Sequence, residues 1–265
     1  MLYANARMYS VTPAVKAAWD AVLAWAIRQA KLDWKLLDHP APAPMSALWG
    51  RNDLGMAMMC GLPYSERKPR PTLVAAPIPS PARYGARPVY FTDIAVRADS
   101  AFQSLEDTFG HKVGYTLHES MSGYAALRRH LLPHRRERPL YSSSVGGLQS
   151  ARAVIEALAD GRIDAGPLDS YSYDLLRAND AAFAAKVRVV DTTQPAPIPP
   201  LIATAPVADA DLRKLREALR DVAAAPELAA QRRMLLLKGF AIPAETDYDV
   251  FASVRAAADS RAGEW

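Results

Sequence analysis

The chain has 265 residues, of which 50% are hydrophobic and 23% charged, and its mean hydropathy is -0.09. This composition supports a sizeable buried core and excludes a disordered or fibrous chain. The formal net charge is +4 and the lysines and arginines are spread along the chain, so we expect no nucleic-acid partner. The single cysteine, Cys60, excludes an internal disulfide and a Cys-based zinc cluster.

Strand and helix signals alternate from the N-terminus onward. Residues 2–9 read as a strand, and Thr12-Pro13 then supplies an N-cap followed by proline at the first helical position. Apolar residues at helical spacing predict a helix from there to about residue 32. The apolar run 54–60 reads as a buried strand that ends in the turn Gly61-Leu62-Pro63-Tyr64.

The alternation continues to the end of the chain. We predict strands over 72–76, 89–96, 111–115, 163–169, 187–190 and 201–205, and helices over 101–108, 123–132, 152–159, 171–178, 209–223, 226–237 and 248–258. This order predicts an α/β fold with two lobes, a mainly parallel sheet in each, and an interlobe cleft.

The chain is expected to cross between the lobes twice, near Tyr90–Ile94 and near Pro200–Thr204. Residues 1–91 and 202–265 then form lobe 1, and residues 92–201 form lobe 2.

The segment Glu119-Ser120-Met121-Ser122-Gly123-Tyr124 carries the strongest functional signal, because it lies between a predicted strand and a predicted helix. Small hydroxyl residues and a glycine let backbone N–H and side-chain O–H groups converge where the positive end of the helix favours an anion. A serine N-cap without any ligand is the alternative that this segment alone leaves open.

The other reactive residues match no familiar catalytic or metal pattern. The histidines at 111, 118, 130 and 134 lack the H-E-x-x-H spacing, and the sequence lacks G-x-G-x-x-G, G-x-x-x-x-G-K-[ST] and G-x-S-x-G. Cys60 reads as a small buried thiol. The basic cluster from Arg128 to Arg138 reads as a solvated helix end and loop. We therefore expect no metal and no cofactor.

Ser120-Met121-Ser122-Gly123-Tyr124 is similar to the Ser-Thr-Ser-Gly-aromatic loop of phosphonate-binding members of one family, the phosphate/phosphonate periplasmic binding proteins with the type II two-lobe fold. Further similarities lie in the stretches 89–100, 161–165, 236–240 and 247–249. In this order the similarities span nearly the whole chain.

The resemblance implies a substrate-binding protein of an ABC importer that captures a small anionic or zwitterionic ligand between its lobes and does not transform it. Ser120, Ser122 and the amides of Gly123 and Tyr124 would hold the oxyanion. The other candidate ligand contacts are Met121, Tyr9, Tyr64, Tyr90, Asp169 and Gln149.

Several of these candidates have a structural alternative. Tyr9 and Tyr64 serve equally well as packing residues, and Asp169 as an N-cap for the helix after it. An acid at Asp169 suits a ligand that carries an ammonium group. Gln149 follows a Gly-rich turn, Gly146-Gly147, where phosphonate-binding relatives usually place a histidine.

Compartment and role remain open at this point. The start MLYANARMYS lacks the features of a secretory signal, so we expect the cytoplasm, or the periplasm if a leader is missing from this chain. We expect a monomer, with an ABC transporter permease as candidate partner. One alternative is a cytosolic enzyme of the same fold, similar to the menaquinone-pathway dehydratases, in which Ser120, Asp169 or a tyrosine acts as acid or base. The other alternative is an effector-sensing domain.

Overall fold

The computed structural model describes residues 1–135, 137–260 and 265. The strands, in chain order, are β1 (Tyr3–Asn5), β2 (Lys35–Leu36), β3 (Leu54–Met58), β4 (Thr72–Pro79), β5 (Val89–Tyr90), β6 (Thr92–Arg97), β7 (Lys112–Gly114), β8 (Ser143–Val145), β9 (Gly166–Asp169), β10 (Val187–Thr192), β11 (Ala196–Pro197), β12 (Leu201–Ala203) and β13 (Leu237–Ala241).

The α-helices are α1 (Pro13–Gln29), α2 (Met45–Trp49), α3 (Gly61–Glu66), α4 (Ala126–Leu131), α5 (Ala151–Ala159), α6 (Ser170–Asn179), α7 (Ala181–Ala184), α8 (Asp209–Asp221), α9 (Ala229–Met234) and α10 (Val250–Asp259). Within the described ranges, none of these helices has the length and apolar content that a membrane crossing requires.

The chain divides into two compact units. Unit 1 consists of Met1–Val89 and Pro197–Tyr248, and unit 2 of Tyr90–Ala196 and Asp249–Trp265. The chain therefore passes between the units three times, whereas the sequence analysis expected two crossings and assigned all of 202–265 to lobe 1. The expected boundary needs this correction because α10 packs against α4, an element of unit 2.

Unit 1 is built on a six-stranded sheet with the order β13-β4-β12-β3-β1-β2. β1 runs parallel to β2 and β3, whereas β12 is antiparallel to β3 and β4, and β13 is antiparallel to β4. The sheet is mixed and not mainly parallel as predicted, because the strands after residue 200 enter it in the opposite direction. The helix α1 packs against α8 and α9. It begins as predicted, since the Thr12 side chain accepts a hydrogen bond from the Val15 amide (3.2 Å).

Unit 2 contains an antiparallel sheet with the order β10-β6-β9 and a parallel pair, β7 and β8. This sheet also departs from the parallel expectation, because apolar spacing predicts which residues a strand buries and not the direction in which it pairs. β5 and β11 form a separate two-stranded sheet at two of the three places where the chain passes between the units, and this sheet belongs to neither unit alone. α5 and α6 pack against β9.

The predicted helix over 101–108 is wrong, and only Glu106–Thr108 forms a single helical turn. The Asp107 carboxylate accepts hydrogen bonds from the amides of Gln103 (2.7 Å) and Ser104 (2.9 Å). Such side-chain bonds compete with helical backbone bonds, which explains the loss of the helix.

The predicted helix over 226–237 is shorter than expected and stops at Met234. Leu237–Ala241 instead forms β13 and completes the edge of the unit 1 sheet. The predicted strand over 2–9 ends at Asn5, whose side-chain oxygen accepts a hydrogen bond from the Arg7 amide (2.8 Å) and turns the chain.

Candidate functional site

The segment Glu119–Tyr124, hereafter the serine loop, lies in unit 2 between β7 and α4. Ser120 is an N-cap, because its Oγ accepts a hydrogen bond from the Gly123 amide (3.0 Å). Residues Met121–Ala125 then form one π-helical turn, in which the Ala125 amide bonds the Ser120 carbonyl (3.1 Å), before α4 begins. The helix predicted over 123–132 thus starts two residues earlier and opens with a wider turn.

The π-helical opening increases the number of donors at this point. In such a turn each N–H bonds the carbonyl five residues back, so the first five amides lack an intrahelical acceptor, one more than in an α-helix. Among the described residues, neither the Ser120 nor the Ser122 hydroxyl donates to an acceptor, and the Ser122 amide has no acceptor either. Ser122 is 9% exposed. The loop therefore holds donors at a half-buried position, Ser120, and at a buried one, Ser122.

Hydrogen bonds from two neighbouring segments fix the peptides of the serine loop. The Thr92 hydroxyl donates to the Ser122 carbonyl (2.9 Å), and the Thr116 amide donates to the Gly123 carbonyl (3.0 Å). Because each peptide is planar and trans, holding a carbonyl sets the direction of the next N–H. The orientation of the Gly123 and Tyr124 amides is thus set by the protein, and the Gly123 amide already has Ser120 as a partner.

Gly123 is required by close packing against Thr116. A Cβ at Gly123 would lie 2.8 Å from both the Cβ and the Cγ2 of Thr116 and closer still to its Oγ1. Thr116 is 9% exposed, and its side chain occupies the space that a larger residue at Gly123 needs. The glycine therefore allows the serine loop to lie directly on the strand-end segment that contains Thr116.

The loop that carries Gln149 is joined to the serine loop through Thr116, whose carbonyl accepts a hydrogen bond from the Gly147 amide (2.8 Å). Gln149 itself is exposed and adopts a positive φ of 52°. The next residue, Ser150, caps α5 by accepting from the Ala153 amide (3.1 Å). The structure thus connects the two candidate loops, while a ligand contact by Gln149 stays a prediction.

Asp169 lies at the end of β9 and pairs with Thr92 of β6. Directly opposed residues of antiparallel strands place their side chains on the same face, so Asp169 lies on the side from which Thr92 reaches the serine loop. Asp169 is half-buried, and its carboxylate accepts a hydrogen bond from the Ser172 amide (2.9 Å). The N-cap role, which the sequence analysis gave as the alternative for Asp169, is therefore confirmed, and a ligand contact stays a prediction.

The three candidate tyrosines are all buried. Tyr9 and Tyr64 belong to unit 1 and Tyr90 to unit 2, and none is more than 1% exposed. The Tyr64 ring packs edge-on against Tyr248 at a centroid distance of 5.0 Å. All three thus have packing roles, and contact with a ligand stays a prediction for each.

An aromatic cluster supports the serine loop from the side of the C-terminal segment. The Tyr124 ring lies 4.6 Å from the His118 ring, 5.3 Å from the Tyr115 ring and 5.6 Å from the Trp265 ring, measured between centroids. The Arg128 guanidinium carbon lies 5.5 Å from the Tyr124 ring centroid. This is a favourable cation–π geometry.

Arg128 contradicts the prediction of a solvated basic cluster. It is 0% exposed, its guanidinium carbon lies 4.9 Å from the Trp265 ring centroid, and its Nε donates to the Ala258 carbonyl (2.8 Å). The contacts come from a segment more than a hundred residues away, so no local pattern in the sequence indicated them. Arg136, from the same cluster, lies outside the described residues.

Sequence reasoning also missed Thr92 and Thr116, the two residues that hold the serine loop. Threonine is common in strands, so neither residue stands out in the sequence.

Across the described part of the chain, no group of three or more His, Cys, Asp or Glu side chains is placed to hold a metal ion.

Comparison with known proteins gives one family match. Residues 14–248 match the family described as ABC transporter, phosphonate, periplasmic substrate-binding protein. No curated protein matches the chain in sequence.

Solved structures with a similar fold are distant in sequence. A binding protein component of an ABC phosphonate transporter from Pseudomonas aeruginosa has 17% identity and a TM-score of 0.79, over 97% of this chain and 87% of that one. PhnD1 from Prochlorococcus marinus, in complex with methylphosphonate, has 14% identity and a TM-score of 0.76, over 96% of each chain. The arginine-, lysine-, histidine-binding protein ArtJ from Geobacillus stearothermophilus has 13% identity and a TM-score of 0.54, over 88% of this chain and 93% of that one. At these identities the likeness confirms the predicted α/β type II binding-protein fold.

Proposed function

Because the chain belongs to the family of periplasmic substrate-binding proteins of phosphonate ABC transporters, we propose that its serine loop binds the tetrahedral oxyanion group of a small phosphonate or phosphate ligand. As a member of that family the chain is a solute-binding protein, and the proposal adds the residues and the ligand chemistry. The observation that carries it is the set of serine-loop donors without an acceptor among the described residues, the hydroxyl of the half-buried Ser120 and the hydroxyl and amide of the buried Ser122.

The donors suit an oxyanion for three physical reasons. Each serine hydroxyl has a proton to donate, and Ser120 can do so while its lone pair caps the Gly123 amide. The carbonyl groups of Ser122 and Gly123 are already bonded, which reduces the acceptor groups that would repel an anion. Donors held in place by the protein need no reorganisation when the anion arrives.

A positive charge adjoins the loop. Arg128 is buried beneath the Tyr124 ring and lies in the helix that the serine loop opens. In a site of low effective dielectric constant, this charge and the amide dipoles of the helical turn both favour a bound anion.

Asp169 supports a narrower ligand class, a phosphonate that also carries an ammonium group. The carboxylate lies on the same sheet face as Thr92, near the serine loop, and would repel a bare anion. We therefore expect 2-aminoethylphosphonate to bind more tightly than methylphosphonate, and the preference to shrink in Asp169→Asn. Equal affinities of the wild-type protein for the two ligands would contradict the role of Asp169.

The serine assignment is tested by calorimetry with methylphosphonate, 2-aminoethylphosphonate and inorganic phosphate. Each lost hydrogen bond to a charged group costs about 1.5–3 kcal/mol, so Ser120→Ala combined with Ser122→Ala should weaken binding by roughly a hundredfold or more. Ser104→Ala is the matched control, because the Ser104 Oγ accepts from an amide three residues ahead (3.3 Å), as that of Ser120 does. If the double variant and the control bind the same ligand equally well, the serine loop is not the binding site.

We also propose that the protein acts without chemical turnover, as a monomer in the periplasm, and delivers its ligand to an ABC permease. The family supports the transporter role. Recovery of unchanged ligand after prolonged incubation is the expected result, whereas product formation would favour the enzyme of the same fold. Cell fractionation and light scattering test the compartment and the monomer.

A further inference from the structure

Thr92 lies where three segments of unit 2 meet. It is the first residue of β6 and is 1% exposed. Its amide donates to the Thr193 Oγ1 (3.0 Å), and its carbonyl accepts from the Thr193 amide (3.0 Å). Its hydroxyl donates to the Ser122 carbonyl (2.9 Å). With its backbone groups held by Thr193, Thr92 has a fixed position from which its side chain holds the serine loop.

The bond from Thr92 determines the direction of one peptide plane. The Ser122–Gly123 peptide is held at both ends, its carbonyl by the Thr92 hydroxyl and its N–H by the Ser120 Oγ. The second bond also orients Ser120, because the oxygen that accepts from Gly123 directs its own proton away from that amide. Loss of the Thr92 hydroxyl would free this peptide to rotate and would leave the buried Ser122 carbonyl without its donor.

We propose that Thr92 is a positioning residue for the anion site, which sets ligand affinity by orienting the Ser122–Gly123 peptide without touching the ligand. This inference rests on the proposed function, in which the serine loop binds the oxyanion. The inference gives β6, which begins just after the chain passes from unit 1 to unit 2 at residue 90, a direct role in the geometry of the binding site.

The test compares Thr92→Val, which keeps the shape of the side chain and removes the donor, with Thr92→Ser, which restores the donor. Calorimetry with methylphosphonate should show about tenfold weaker binding for Thr92→Val and affinity within about twofold of wild type for Thr92→Ser. Thr108→Val is the matched control, because Thr108 is equally buried and its hydroxyl also donates to a backbone carbonyl, that of Leu105 (2.6 Å). Its affinity should equal that of the wild type.

A ligand-free measurement tests the positioning itself. Amide hydrogen exchange at Gly123 should be about tenfold faster in Thr92→Val than in wild type, and unchanged in Thr92→Ser and Thr108→Val. Unchanged exchange at Gly123 together with wild-type affinity in Thr92→Val would overturn the inference. An equal loss of affinity in Thr92→Ser or Thr108→Val would also overturn it, because the loss would then not depend on the Thr92 hydroxyl.

The serine variants separate this inference from the proposed function. If the Ser120→Ala, Ser122→Ala double variant loses methylphosphonate binding while Thr92→Val keeps it, only the role of Thr92 fails. If the double variant binds as the wild type does, or the wild type binds none of methylphosphonate, 2-aminoethylphosphonate and inorganic phosphate, the proposed anion site fails and the inference fails with it.

Discussion

Substituting Gly123 by alanine tests the packing that holds the serine loop. The added Cβ would lie 2.8 Å from both the Cβ and the Cγ2 of Thr116, well inside van der Waals contact. Gly123 sits in a helical turn, where alanine is conformationally allowed, so the effect should come from this contact alone. Overpacking of this kind costs about 1–3 kcal/mol.

Thermal unfolding and calorimetry should both report the change. A loss of about 2 kcal/mol corresponds to a fall in Tm of roughly 4–8 °C for a chain of this size. Ligand affinity should also fall, because the loop must move away from Thr116 to make room. Gly50→Ala is the control, since Gly50 has a negative φ of -76° at the end of α2 and its added Cβ would come no closer than 3.2 Å to another atom, the Ser46 carbonyl oxygen. Its Tm should fall much less than that of Gly123→Ala.

A double variant makes the test specific. Thr116→Gly removes the three atoms nearest to the new Cβ, so Gly123→Ala should cost less in the Thr116→Gly background than in the wild type. We expect a coupling free energy of about 1 kcal/mol or more between the two positions. Additive effects, or an unchanged Tm in Gly123→Ala alone, would refute the reasoning.

Two further predictions concern the tail of unit 2 and the surface of unit 1. Arg128→Met should lower the free energy of unfolding by about 2 kcal/mol or more in urea titrations, because the Ala258 carbonyl loses a charged donor. Arg129 is exposed, so Arg129→Met should leave the free energy of unfolding nearly unchanged. Equal losses in the two variants would contradict the role of Arg128. The Glu227 carboxylate accepts hydrogen bonds from its own backbone amide and from the Trp25 indole (2.7 Å), and both bonds lower the pKa of Glu227. The stability that they contribute is therefore present above the unfolded-state pKa and is lost as pH falls through the folded-state pKa. Trp25→Phe should raise the Glu227 pKa in an NMR titration, and an unchanged pKa would refute the role of the indole.

Local signals in the sequence predicted several helix starts well. Thr12 caps α1 as predicted, and Ser120 caps the π-helical turn, which agrees with the serine N-cap that the sequence analysis held as an alternative; a cap depends on the few residues that follow it. The alternation of strands and helices predicted the α/β class and the two-lobed family fold. Asp169 likewise caps α6, which the sequence analysis held as its structural alternative.

Features that depend on distant partners were not predicted. The burial of Arg128 requires Ala258 and Trp265, and the direction of β12 depends on where the chain re-enters the unit 1 sheet. The wrong helix over 101–108 has a local cause, the Asp107 carboxylate, which bonds the amides of Gln103 and Ser104. The role of Thr92 was missed because it depends on a bond between residues thirty positions apart.

The packing of α10 against α4 has a consequence for the synthesis of the protein on the ribosome. Residues 250–259 emerge only after the helix that they cover, so the apolar side of α4 stays uncovered for the time needed to translate more than a hundred codons. At about 5–20 residues per second this interval lasts several seconds or longer. A nascent chain stalled before residue 249 should therefore be a good substrate for chaperones and proteases.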